Sequence, residues 1–151
     1  FEQVLDRYYQ KNRRLLAEAF ETQGPIRGRL RAVIDALFDF MIEHRAYARI
    51  VQEQLILGGP HSSLVRKHLK ETVAIIATML EGVTPASGPL GPLHLHHSVS
   101  AMVTQYFTSA AVLGEEYWGR DPLSQEALDE RRAHLHWAID AWLDALERAE
   151  S

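Results

Sequence analysis

Histidine is the residue type in this chain with the most capacity for chemistry, and five of the eight fall in two groups. His94, His96 and His97 follow a run rich in proline and glycine, while His134 and His136 stand near the far end. His94 and His97 are three apart and share a helix face, a spacing that can hold zinc or nickel. His134 and His136 are two apart on a helix and point away from each other, so one site cannot use both. No cysteine supplies a thiolate, and the neighbouring Pro and Gly make the first group a loose loop end. Solvated or interface histidines are therefore expected, with no metal and no cofactor. His61, Ser62 and Ser63 are adjacent, which is not how a nucleophile and its base are presented; helix capping accounts for them. The Glu-x-x-His pairs of a di-iron bundle, a Gly-rich phosphate loop, a Gly-x-Ser-x-Gly elbow and a His-Glu-x-x-His motif are all missing from the sequence. No catalytic residue is assigned.

The elements that must position any site are helices. The stretch Leu93–Trp118 organises them, because from Leu95 to Gly114 it has no Asp, Glu, Lys or Arg in a chain that is 24% charged. Leu95, Val99, Met102, Val103, Tyr106, Ala110 and Leu113 form one apolar stripe at 3.6 residues per turn. The other side carries His97, Ala101, Thr104, Thr108 and Ala111, so no charged face is left for water. Three His, several Ser or Thr and Gln105 within it argue against a membrane span. The expectation is a central helix covered on one side by its own domain, with something else covering the other.

The rest of the chain supplies five more helices. The first runs from Phe1 to about Glu21, with Val4, Leu5, Tyr8, Leu15, Leu16, Ala19 and Phe20 on one side, and Gly24-Pro25 stops it. The second covers about Ile26–His44, its inward face Leu30, Val33, Ile34, Leu37, Phe38, Met41 and Ile42. A third, about Ala46–Leu57, groups Tyr47, Ile50, Val51 and Gln54 before the break at Gly58-Gly59-Pro60. The fourth lasts from His61 or Ser62 to about Glu81, on a stripe of Val65, His68, Leu69, Thr72, Ile76, Met79 and Leu80. Gly82–Pro92 is a loop, and Pro92 is suited to open the central helix. After Gly119–Ser124, with Asp121-Pro122 or Ser124 as the cap, the last helix reaches about Arg148. Its seam is Leu128, Leu135, Ile139, Trp142 and Leu146, flanked by Ala127, Ala138, Ala141 and Ala145, with His134 and Trp137 off it. Two consecutive terminal helices that are both broadly apolar would, with a second copy, make an isologous four-helix bundle. A plain core helix with one exposed Trp is the other reading.

The length of 151 residues fits one domain with a real core. A formal charge of −4 argues against this piece gripping nucleic acid by itself. The absence of cysteine fits a cytoplasmic protein. The chain opens at Phe1 inside a helical pattern with no capping residue ahead of it, as a fragment would.

The order of these elements resembles the C-terminal domain of TetR-type transcriptional regulators, across essentially the whole chain. Phe1-Glu-Gln-Val-Leu-Asp-Arg-Tyr-Tyr9 is similar to the long helix that follows the family's helix-turn-helix. Gly119-Arg-Asp-Pro-Leu-Ser-Gln-Glu-Ala-Leu128, then Arg131-Arg132-Ala133-His134, resembles the lead-in to the last helix, and Arg49–Pro60 resembles one branch of the family. The helix-turn-helix itself is absent from the sequence, so DNA is expected to be a partner only through a missing N-terminal domain. The resemblance implies an all-α, six-helix domain that dimerises through its last two helices. Facing residues would be Ala101, Thr108 and Val112 on one and Leu128, Leu135, Ala138, Ile139, Trp142 and Leu146 on the other. It further implies a small-molecule pocket among the first, second, fourth and fifth helices, whose occupancy moves the first and third helices and, through them, the DNA heads.

Such a pocket should be apolar with a few inward polar groups. Asn12, Gln54, His68, Thr72 and Gln105 interrupt apolar stripes, with Tyr106 alongside, and Phe20, Phe38, Met41, Val73 and Met102 are wall candidates. Hydrogen-bonded core residues and ordinary packing are the plainer accounts of each. No inward Arg or Lys appears, so a small, mostly hydrophobic effector without a strongly anionic head is expected, although His68 could supply a positive charge. The alternatives are a purely structural dimerisation module with a filled core, and a metal-binding or catalytic bundle. An apolar cavity of some hundreds of Å³ beneath the first, second and fourth helices would separate the sensor from the module.

Overall fold

A computed structural model describes residues 1–150. Its elements are α1 (Glu2–Phe20), α2 (Ile26–Glu43), α3 (Arg45–Leu57), α4 (Ser62–Met79), α5 (Pro92–Trp118) and α6 (Gln125–Glu150), with no strand among the described residues. Among those residues no helix is long and apolar enough to cross a membrane.

The breaks follow the backbone chemistry of the sequence. Pro92 takes the first position of α5, where its missing N–H is not needed. Gly58 ends α3 in the left-handed region that side chains resist. Ser124 Oγ accepts from the Ala127 N–H at 3.3 Å and is the cap of α6, whereas Asp121 Oδ1 accepts from the Leu123 N–H at 2.9 Å in the turn ahead of it. The α4 start differs from expectation: no side chain of its first residues caps it, and Gln54 Oε1 accepts from the His61 N–H at 3.2 Å. Gly59 makes this possible, because a Cβ there would lie 2.5 Å from Gln54 Oε1. A second difference lies in α5. Gly114 adopts φ 58° and ψ −161°, so the charge-free run ends at a sharp bend, and its last turn departs in a new direction.

Helix α2 is the hub. It packs on α1, α3, α5 and α6, while α5 also meets α3 and α4. The seam of α6 (Leu128, Leu135, Ile139 and Leu146) is buried within the single chain, against its own core. Four of the residues expected to face a second copy are therefore already covered here. Trp142 and Ala138 are half-buried, Thr108 is half-buried, and Ala101 and Val112 are exposed. The closest packing of α6 is on α2, fixed by charges along both. Arg27 reaches Asp140 at 3.3 Å and Asp144 at 2.5 Å, Arg31 pairs with Asp140, Arg132 lies 3.0 Å from Asp35, and His136 Nε2 2.8 Å from it. To α5, α6 is joined by single polar contacts: Arg131 donates to the Met102 carbonyl at 2.7 Å, and Tyr106 donates to the Pro122 carbonyl just ahead of α6.

On the outward side of α5, His97, Ala101 and Ala111 are exposed, and so is Leu113, which the periodicity places on the inward stripe. Leu93 is 60% exposed, Val112 76% and Leu113 42%, with Leu55, Ile56 and Leu57 of α3 also bare.

Candidate ligand cavity

All six helices line an apolar cavity, and each contributes by local spacing. On α1 the buried residues Leu5, Tyr9, Asn12, Leu16 and Phe20 recur at helical intervals, and the last four line the space. From α2 come Leu30, Val33, Ile34, Leu37 and Met41; from α3, Tyr47 and Val51; from α4, Leu69, Thr72, Ile76 and Met79. Helix α5 presents Leu95, His96, Val99, Ser100 and Thr104, and Ile139 of α6 closes the floor. The cavity measures about 100 Å³, less than the several hundred expected, and none of its lining residues is Asp, Glu, Lys or Arg. An apolar cavity of about 150 Å³ holds benzene, so this one is smaller than a benzene site and must widen to admit a ring.

Why space exists here is legible in α5. Ser100 and Thr104 are small, stand one turn apart, and face inward where larger side chains would fill the gap. The sequence reading put Thr104 on the outer side; it is 9% exposed and lines the cavity instead. A helix without charges gives no cue to which face is wet, so its rotation is set by packing alone. His96, Ser100, Thr104, Val51 and Leu69 also border an outer groove between α3, α4 and α5, so they form the wall between the two spaces.

Of the expected ligand residues, Asn12, Met41 and Thr72 come together at the cavity, with Phe20 from the candidate wall. The others stand elsewhere. Phe38 is fully buried on the far side of α2, 5.2 Å from the Phe107 ring and beneath the Arg132 guanidinium. Gln54 is occupied at the α4 start, and Gln105 is exposed, accepting from Gln52 Nε2 at 3.3 Å. Tyr106 is buried against the loop before α6, Met102 is half-buried beside Arg131 of α6, and Val73 lines the outer groove. Tyr9 and Tyr47 were not singled out for the site. Asn12 was the available signal for Tyr9, which sits one turn before it on the same face.

No model of a known protein family matches this chain, and no curated protein and no solved structure is detectably similar to it.

His68 is a wall support. Its ring is 1% exposed and stacks on Tyr9 with centroids 4.2 Å apart. Arg13 Nη1 donates to Nδ1 at 2.9 Å and also pairs with Glu71, so Nε2 carries the proton, 3.0 Å from Asp6 Oδ1 but not aligned with it. Burial and then Arg13 push its pKa below the ordinary value, against Asp6 and Glu71, so the ring is neutral and offers no charge to a ligand. Burial likewise lowers the pKa of His96, the one lining imidazole. The Tyr9 phenol is pushed up to about 12 by burial, and Tyr47 also rises by burial, so both keep their protons. His94 and His97 are exposed, and no group of three His, Asp or Glu able to hold a metal occurs among the described residues.

One polar atom at the cavity wall, Asn12 Oδ1, has no protein partner. The Tyr9 hydroxyl does have a neighbour, because the Tyr47 phenol interacts with it as a hydrogen-bond partner. Thr72 differs, its hydroxyl donating to the His68 carbonyl at 2.9 Å.

Proposed function

We propose that this chain is the effector-binding and dimerising part of a TetR-type transcriptional regulator, sensing a small, mostly hydrophobic molecule. The observation that carries the reading is an apolar cavity without lining charges, walled mainly by α1, α2, α4 and α5. These are the four helices that the resemblance assigns to a pocket. A structural module with no ligand gains nothing from such a space, since an unfilled apolar volume costs stability.

The cavity also suits coupling. Four residues of one α1 face form part of its wall, so a ligand that favours one setting of α1 biases whatever α1 is joined to. Coupling of this kind is typically worth about 1–3 kcal/mol. DNA would be met by a part of the regulator outside this sequence. A second copy would cover the bare side of α5 through Ala101, Thr108 and Val112, with Ala138, Trp142 and the exposed Trp137 of α6 beside them. Burial of these side chains is the driving force for that association.

A thermal-shift screen over small uncharged apolar molecules tests the sensor reading, because a ligand that binds only the folded state raises its melting point. Saturable shifts together with a sedimenting dimer at micromolar concentration are expected. A lone 17.2 kDa particle that no apolar molecule stabilises would refute it.

A further inference from the structure

An unpaired amide inside an apolar cavity is costly, because its desolvation is not repaid by a hydrogen bond. Asn12 is only 8% exposed, its Oδ1 is fully enclosed without a protein partner, and it lines the cavity. One helical turn away on the same face, the Tyr9 hydroxyl is enclosed too, with the Tyr47 phenol as its neighbour. The other buried atoms without an aligned partner, His68 Nε2, Thr84 Oγ1, Trp118 Nε1 and Arg131 Nε, belong to residues outside the cavity lining. One unpaired polar group, Asn12 Oδ1, thus stands on the α1 wall of a mostly apolar space that has no charged lining residue.

Resting on the sensor reading, we propose that the ligand is an uncharged molecule bearing a hydroxyl, which hydrogen-bonds to the Asn12 carboxamide beside the Tyr9 hydroxyl. The chemistry of the wall selects this class. An anionic ligand would find no cation, because no Arg or Lys lines the cavity and Arg13 is engaged by Glu71 and His68 outside it. An ammonium would find no carboxylate. A pure hydrocarbon would seal the carboxamide from water with nothing in return. An ether or ketone accepts but cannot donate to Asn12 Oδ1. A hydroxyl both donates and accepts, and so matches the carboxamide whichever way its oxygen and nitrogen lie.

Four probes of one shape separate these cases: ethylbenzene, 4-ethylanisole, 4-ethylphenol and 4-ethylbenzoate, titrated by calorimetry into the wild-type chain and into Asn12→Leu. Leu is close to Asn in shape, and a melting curve of the variant confirms that it folds. On the wild type, 4-ethylphenol should bind about 5- to 10-fold more tightly than ethylbenzene or 4-ethylanisole, the worth of one net hydrogen bond. The benzoate should bind worst. In Asn12→Leu the phenol's advantage should vanish while ethylbenzene binds at least as well as before. Equal affinity of phenol and anisole, tightest binding of the benzoate, or an unchanged phenol preference in Asn12→Leu would overturn the inference and leave the sensor reading standing. Failure of all four probes to bind would overturn both.

Discussion

The two sides of α2 handle polar groups in opposite ways. Towards α6, Arg27, Arg31, Asp35 and Asp39 each meet a counter-charge on the facing helix, near solvent. Towards the cavity, α2 is entirely apolar, and opposite it on α1 Asn12 Oδ1 has no partner, while Tyr9 meets only the Tyr47 phenol. The first arrangement fixes register and is satisfied by the chain alone. The second carries a cost that no contact within the chain offsets, and this supports the proposed ligand site.

The sharpest way to break the comparison is to empty the packed side. Phe38→Ala removes a ring that is 0% exposed and covered by Arg132 and Phe107, and should cost about 3–5 kcal/mol in urea denaturation. Asn12→Leu on the cavity side should do the reverse, raising stability by about 1–2 kcal/mol through loss of an unpaired buried amide. A loss of stability there would mean that Asn12 is satisfied in solution. Val33→Phe adds bulk to the cavity wall and should change stability by less than about 1 kcal/mol, because overpacking is costly only where no space exists. The same variant should abolish the melting shift produced by 4-ethylphenol.

Titration sharpens the contrast further. Burial lowers the pKa of His96, His68 and His44 from the ordinary 6.5. Below that value the unfolded chain binds protons that the folded chain does not, so stability is fully present above pH 6.5 and falls as the pH drops towards the folded values. Urea midpoints measured across this range should decline, and His96→Gln should reduce the decline. The smallest effect is at the α2–α6 seam. Its hydrogen bond from Arg31 holds the Asp140 carboxyl below its usual 3.8, so that contribution is present above pH 3.8 and is lost only as pH falls through the depressed value. Asp140→Asn should flatten the acid limb, and salt should weaken the pairing in the wild type.

Six helices and nearly all their ends could be read from the sequence because Gly24-Pro25, Gly58-Gly59-Pro60, Gly82–Pro92 and Gly119–Ser124 act through local backbone chemistry. The α6 seam was legible too, but not what it packs on. Arg27, Arg31, Asp35 and Asp39 look like a solvated face until α6 supplies Asp140, Asp144 and Arg132 opposite them. At the cavity, Asn12 and Thr72 were visible as polar interruptions of apolar stripes. Tyr9 was hidden by its neighbour Tyr8, and Ser100 and Thr104 by the uniform neutrality of α5. Which of two adjacent aromatic rings turns inward, and which side of a charge-free helix faces a space, are decided by other helices.

The central claim is that the cavity under α1, α2, α4 and α5 takes a small uncharged ligand. Titrating 4-ethylphenol into methyl-labelled protein and following the methyl resonances tests it directly. Saturable shifts should appear at Met41, Val33, Leu69 and Val99, which line the cavity, while Val65 and Leu143, buried elsewhere, stay still. Shifts confined to Leu55 and Leu93 in the outer groove, or no saturation at any methyl group, would contradict the account.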